Sequence, residues 1–472
     1  MVRFIELFRP LARFSLDVRA PERKVSFNEK LFWTAMALLI YLVMSQIPLY
    51  GIGRAGAQDP FGALRIIFAS NRGTLMELGI GPIVTAGLIL QVLAGSKMID
   101  VDMTDPEDRS LFTSASKILA ILMTIFEASA YLIGGTYGAL SIQTQFIVML
   151  QLVAAGIVVM LLDELLQKGW GIGSGISLFI AAGVAQTIWW DSVAPMGPMS
   201  DGKYLGALIA FGQSISRHEP LTSILYRSGG LPDMTGFLTT LGIIILVIYL
   251  NGIRVEIPVS YARYRGFRGK FPIKLLYVSN IPVIFSAALF GNIYLFAQII
   301  WSRYNSANTN FWLNLIGQFT TQGGRYEPSG GLVYYVMPPR NLAGVMADPV
   351  RAALYATLLI ITCAFFAMTW VEVSGMDAAQ VAKQLLDSGM QIEGFRRSTV
   401  PIRQVLQRYI PTVTVVGGIL IGAIAAGADF LGAFGSGTGI LLTIGIIEQY
   451  YQLLVQERVT EIYPAMRAFL GK

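Results

Sequence analysis

The chain has one cysteine, one histidine and little charge: of 472 residues only 14% are Asp, Glu, Lys or Arg, against roughly a quarter in an ordinary soluble domain. Each shortage removes a class of protein. The lone Cys363 lies in an apolar run, which excludes an internal disulfide and argues against a thiolate metal site. The lone His218 lies in a polar stretch, and one imidazole by itself supplies neither a catalytic triad nor metal-ligand spacing. No P-loop, H-E-x-x-H or G-x-S-x-G motif is present. The expectation is a protein that is not an enzyme and uses no cofactor and no metal. The scarcity of charge says most, because with 54% hydrophobic residues the surplus apolar surface needs a solvent other than water.

What is present is a series of apolar runs, each long enough to cross about 30 Å of hydrocarbon as a helix that satisfies its own backbone. Ten spans are predicted, at 30–49, 79–97, 114–136, 145–166, 172–190, 237–256, 273–300, 350–372, 404–424 and 431–455. The first follows a basic tail without a small-residue cleavage site, so it is expected to be retained. That tail, 1–29, mixes Arg with Phe, Leu and Ile and reads equally as a surface amphipathic segment or a solvated one. With the tail in the cytoplasm, 25 of the 35 Lys and Arg fall on the cytoplasmic side, which puts both termini there, in a multi-pass protein of the cell (cytoplasmic) membrane.

Five spans lie on each side of a long outer loop, 191–236. An odd number per half means that, if the halves share a fold, one is upside down relative to the other. The reading is an all-α polytopic membrane protein of ten transmembrane helices in two inverted five-helix halves, 30–190 and 237–455, with a C-terminal tail at 456–472. Two cytoplasmic connections, 253–274 and 372–403, are long, basic and interleaved with aromatics. They are either membrane-hugging anchors or projections that meet a polyanionic partner. Between the first two spans, "PFGALRIIFAS" (about 60–70) is too short to cross and reads as an interfacial or re-entrant element. Its Arg65 is expected to face outer water.

Two segments begin with glycine and place aliphatic residues four apart: "GIGPIVTAGLILQVL" with Ile80, Val84 and Leu88, and "GWGIGSGISLFIAAG" with Ile172 and Ile176. A third cluster, "GAFGSGTGILL", opens the last span, and Pro282 in "SNIPVIFSAALFG" is expected to interrupt the seventh. Glu127, in the third span, is an intramembrane acid with no partner evident in the sequence. Polar Thr85, Gln91 and Asn280 fall on apolar spans, as a functional cluster or as ordinary helix contacts.

These residues resemble the SecY family, the channel-forming subunit of the Sec protein translocon, in its archaeal and eukaryotic branch. The resemblance covers nearly the whole chain and rests on "LGIGPIVTAGLILQ", "GIGSGISLFIAAGV", "RVEIP", "YVSNIPVI", "TWVEVSG", "EGFRRS", "RYIP" and "GTGILLT" in order. It implies a central hourglass pore through which unfolded polypeptides cross, with a lateral gate that releases hydrophobic segments into lipid. By motif match, the pore ring would be Ile80, Val84, Ile172, Ile176, Ile284 and Leu442, and the plug would comprise Phe61, Leu64, Arg65, Ile66, Ile67 and Phe68. The gate, between the second and third spans and the seventh and eighth, would carry Thr85, Leu88, Gln91 and Asn280. The resemblance also implies SecE-type and Sec-beta-type small subunits, signal peptides, a signal-recognition receptor, and a ribosome with its nascent chain held by Arg263, Arg265, Arg268, Lys270, Arg396 and Arg397, without sequence-specific nucleic-acid binding. The main alternative is a secondary transporter with inverted repeats, and a receptor or passive scaffold is a further one. A transporter calls for midplane carboxylates, whereas here most acids cluster at span ends: Asp163, Glu164, Glu372 and Glu448.

Overall fold

Long aliphatic runs leave the backbone one local way to pair its polar groups away from water, and the chain takes it. The computed structural model describes residues 17–52, 65, 68–95, 98–99, 105–134, 137, 140–220, 225–227, 230–261, 268–278, 281–322, 325–339, 341–392 and 398–462. Among these, the first half holds α1 (Phe27–Met44), α2 (Gly81–Gly95), α3 (Pro106–Ile133), α4 (Ile142–Leu165) and α5 (Gly175–Val193). A short helix, α6 (Ala207–Ser216), lies in the connection between halves. The second half holds α7 (Met234–Gly252), α8 (Ile281–Tyr304), α9 (Pro349–Val373), α10 (Ala378–Asp387), α11 (Thr399–Phe430) and α12 (Gly437–Ile462). Nine of these helices are long and apolar enough to cross a membrane; α2, with 15 residues, supplies the tenth predicted span.

The helix starts are set by local chemistry. Ser26, Asp105, Ser141, Asp233, Asp348 and Ser398 each accept a backbone N–H of the helix they precede. At α3 the cap and Pro106 start the helix eight residues before the predicted span, because its first turns are polar and escape a hydropathy reading. Pro282 does not interrupt the seventh span as expected. It is the second residue of α8, where its missing N–H has no intrahelical partner to lose. The predicted start at 273 fails because residues 268–274 are committed to a strand.

The described parts of both basic connections form strands, and these strands are joined. β1 (Arg254–Tyr261) pairs antiparallel with β2 (Arg268–Lys274) and, on its other edge, with β5 (Met390–Ile392). The inward Ile257, Val259 and Ile273 are buried, and this small sheet shares an apolar cluster with α10 and the first turns of α11. At 32 residues α11 spans about 48 Å, longer than the hydrocarbon is thick, so it reaches from the bundle into that cluster. A second hairpin, β3 (Gln318–Gln322) with β4 (Arg325–Gly330), follows α8. The main core draws on both halves, from Tyr41 and Phe179 to Tyr294, Leu359 and Leu442.

Candidate functional site

Of the six aliphatic positions, Ile80, Val84, Ile172 and Leu442 are buried, and Ile176 and Ile284 are partly so. Ile80, Val84 and Leu442 belong to the main core, and Ile176 and Ile284 pack on it. Residues of α2, α5, α8 and α12, two elements from each half, thus belong to or pack on one apolar core. Ile172 stands apart. It precedes α5 rather than riding on it, and its N–H donates to Thr34 Oγ1 of α1 at 3.0 Å, so the expected helical stripe with Ile176 does not form. The four surrounding glycines, at 169, 171, 173 and 175, offered a turn as readily as a helix, and the turn won. Ile80 keeps its stripe, because its carbonyl accepts the Val84 N–H at 3.0 Å as the helix begins.

Of the expected plug residues, Phe61, Leu64, Ile66 and Ile67 lie outside the described residues. Arg65 does not face outer water: it is 6% exposed, and its Nη2 pairs with Glu77 Oε1 at 2.6 Å. Its Nη1 donates to Ser70 Oγ at 2.9 Å, and Glu77 also accepts the Gly73 N–H. A guanidinium this buried requires a buried carboxylate, and Glu77, 1% exposed, supplies it. The segment is stitched to its surroundings by backbone: Phe68 O accepts the Ile80 N–H at 2.8 Å, and Ala69 O accepts the Tyr41 hydroxyl at 3.1 Å. Glu77 was legible only as an acid between apolar neighbours, and Tyr41 as one more aromatic in a span.

At the expected gate, α2 packs against α8 and α9, and α3 packs against α8. Thr85 is buried and accepts from Asn292 Nδ2 at 3.1 Å, and it shares a small cavity with the buried Glu127. Asn292 of α8 thus makes a polar contact that the sequence reading did not name, and Asn280 lies outside the described residues. Thr85, Asn292 and Glu127 line this cavity of about 20 Å³, room for one water, together with Arg65 and Glu77. Gln91 does not join them. Its Oε1 is buried without a hydrogen-bond partner among the described residues, beside Phe285, Phe366 and Trp370. Leu88 is half-buried against the core.

Arg263, Arg265, Arg396 and Arg397 lie outside the described residues. Arg268 opens β2, opposite Ser260. Lys270 is exposed and pairs across the hairpin with Glu256, holding that carboxyl below its usual range, and Lys274 pairs with Glu448 of α12 at 2.8 Å. At the opposite end a cavity of about 470 Å³ opens between the halves, lined by Thr187, Asp191, Thr235, Asn341, Phe434 and Ser436, among others. The arrangement is an apolar core beside the tethered Arg65–Ser70 contacts and the polar Thr85–Asn292 pair, with no cluster of three metal-ligating side chains among the described residues.

Two family models match the chain: SecY over residues 74–451 and the plug domain of Sec61p over residues 39–73. The chain is 45% identical over 468 residues to the Sec61 subunit alpha of Dictyostelium discoideum, covering 97% of each. Among solved structures it is similar to a protein-conducting channel (TM-score 0.81, 39% identity, 97% of this chain and 98% of that one). It is also similar to Sec61 in a canine ribosome-channel complex from the endoplasmic reticulum (TM-score 0.79, 37% identity, 97% and 98%). A third similarity is to a yeast Ssh1 complex bound to the 80S ribosome (TM-score 0.78, 30% identity, 98% and 96%).

Proposed function

This chain belongs to the SecY family, and from that premise we propose how its residues divide the work of a translocation channel. It is a multi-pass membrane protein and a protein-conducting channel. The proposal concerns the parts. Ile80, Val84, Ile172, Ile176, Ile284 and Leu442 form the constriction between the halves 30–190 and 237–455, which are linked by 191–236. The observation that carries this is the convergence of five of them, drawn from both halves, on one apolar core. A polypeptide carries every side-chain type, so a specific site would hold it, whereas an aliphatic ring excludes ions by dewetting and grips nothing. The segment at 60–70 closes the outer side, tethered to the ring through the bond from Ile80 to Phe68.

The gate opens along the seam between α2 and α8, where an apolar signal segment competes with the Thr85–Asn292 bond. The joined β1–β2–β5 sheet presents the two basic connections together, and their positive charge supports a ribosome partner, as in the ribosome-bound relatives. SecE-type and Sec-beta-type subunits complete the assembly. The reading puts the chain in the cytoplasmic membrane with both termini inside; the excess of Lys and Arg on that side supports the orientation. The chain itself performs no reaction, and the driving force comes from the elongating nascent chain or another partner. The test is ion conductance of vesicles carrying Ile172→Asn or Ile284→Asn, with nascent chains crosslinked from position 80 or 442. Leak in the variants and crosslinks in the wild type are expected; tight variants without crosslinks overturn the assignment.

A further inference from the structure

The tripeptide Gly-Ser-Gly occurs at 173–175 and again at 435–437, and each copy immediately precedes or opens the fifth span of its half, α5 and α12. The surroundings of the two copies correspond. Gly173 and Gly435 both take positive φ, at 71° and 75°, a backbone that disfavours any side chain. Each is a notch for the other half's fifth helix. A Cβ on Gly173 would lie 2.9 Å from Tyr450 Cζ of α12, and one on Gly435 would lie 3.2 Å from Val184 Cγ1 and 3.3 Å from Ile188 Cγ1, both of α5. Tyr450 is fifteen residues after Gly435, and Ile188 is fifteen residues after Gly173. The two helices thus pack by the same contact made twice, as an inverted pair requires.

Each copy is also held by a carboxylate from the last turn of the fourth span. Asp163, in α4, accepts the Ile176 N–H and the Ser174 hydroxyl, both at Oδ1 and 3.0 Å, while Gln167 donates to its Oδ2 at 2.7 Å. Asp429, in α11, accepts the Gly437 N–H at Oδ1 and 2.7 Å, while the buried Tyr355 hydroxyl donates to its Oδ2 at 2.9 Å. Ser174, the residue before α5, makes no side-chain cap of its own; the neighbouring helix provides the acceptor. A helix N-terminus carries unpaired N–H groups and a partial positive charge, so a fixed carboxylate there settles where the helix begins. In both halves the helix so placed carries a ring residue, Ile176 next to the anchored start of α5 and Leu442 five residues past that of α12.

We propose that Asp163 and Asp429 are paired positioning residues, one in each inverted half, that set the axial register of α5 against α12 and so the height at which Ile176 and Leu442 meet. The inference rests on the ring reading given above and adds to it the groups that hold the ring closed. Either anchor alone leaves one helix free to slide, so the pair acts as a unit, and the loss of both adds little to the loss of one.

The test compares Asp163→Ala, Asp429→Ala, the double variant and the isosteric Asp163→Asn and Asp429→Asn in full-length channel, with Ile172→Asn as a leaking control. Two readouts are taken: resting ion conductance of vesicles, and the distance between spin labels at the exposed Gln186 and Ile447, with Cys363 replaced by alanine. The alanine variants are expected to raise conductance about tenfold or more, as for loss of a hydrogen bond to a charged group, and to shift or broaden the label distance. The asparagine variants, which keep the Oδ1 acceptor, are expected to recover the wild-type distance and most of the tightness. Tyr355→Phe, which leaves Asp429 in place, is expected to give a smaller rise and serves if an alanine variant does not fold. An unchanged distance overturns the proposal, as does unchanged conductance in the alanine variants while Ile172→Asn leaks. If Ile172→Asn stays tight, the ring reading fails by itself, and the anchors stand or fall on the distance.

Discussion

The charged residues that matter most here are those the hydropathy pattern treats as interruptions. Arg65 and Glu77 are a buried pair, with side chains 7% and 0% exposed, and the pair fastens Arg65 to the turn leading into α2. Removing one partner leaves the other charge buried and unpaired, which costs far more than the pair itself contributes. Glu77→Ala is therefore expected to weaken this attachment by about 3–5 kcal/mol, and Glu77→Gln by less. The readout is hydrogen exchange at the Gly73 and Ile80 amides, both bonded within the unit. Exchange as slow in Glu77→Ala as in the wild type would show the pair to be incidental. The sequence showed Arg65 plainly but pointed it the wrong way, because its partner lies twelve residues on, across a turn that no local pattern announces.

Among the elements, the spans were legible from length and apolarity, and their ends were not. The α3 start is polar and capped by Asp105, so it lies outside the apolar window. The strands of the basic connections escaped notice because charge dominated their composition, although Ile257 and Val259 alternate with exposed neighbours as strand residues do. Close approach of elements has its own cost. A Cβ added to Gly437 would come within 2.1 Å of Ala425 O and 2.7 Å of Ala428 Cβ, so α12 starts hard against α11. Gly437→Val is expected to force the helices apart, lowering the unfolding temperature through about 1–3 kcal/mol of overpacking and raising resting conductance. A variant with wild-type thermal stability would mean that the loop between them absorbs the added bulk.

At the scale of the whole molecule, function depends on how weakly the halves are joined along one seam. The Thr85–Asn292 bond links α2 to α8, and a membrane hydrogen bond of this kind is worth about 0.6–1.7 kcal/mol, or roughly 3- to 18-fold in a gate equilibrium. Asn292→Ala is expected to shift that equilibrium toward open by such a factor, measured as slower disulfide trapping between cysteines placed on α2 and α8. Unchanged trapping would remove this bond from the gate. By itself the sequence determined the membrane environment and the run of apolar spans, because each follows from local composition and spacing read along the chain. Only the tertiary structure decided that Asn292 bonds Thr85, that Glu77 neutralises Arg65, that the two basic connections share a sheet, and that Asp163 and Asp429 hold matching helix starts. Those pairings join residues far apart in the chain or across a turn, and hydrogen bonds between them are selected by the geometry of packed helices, which one-dimensional spacing does not carry.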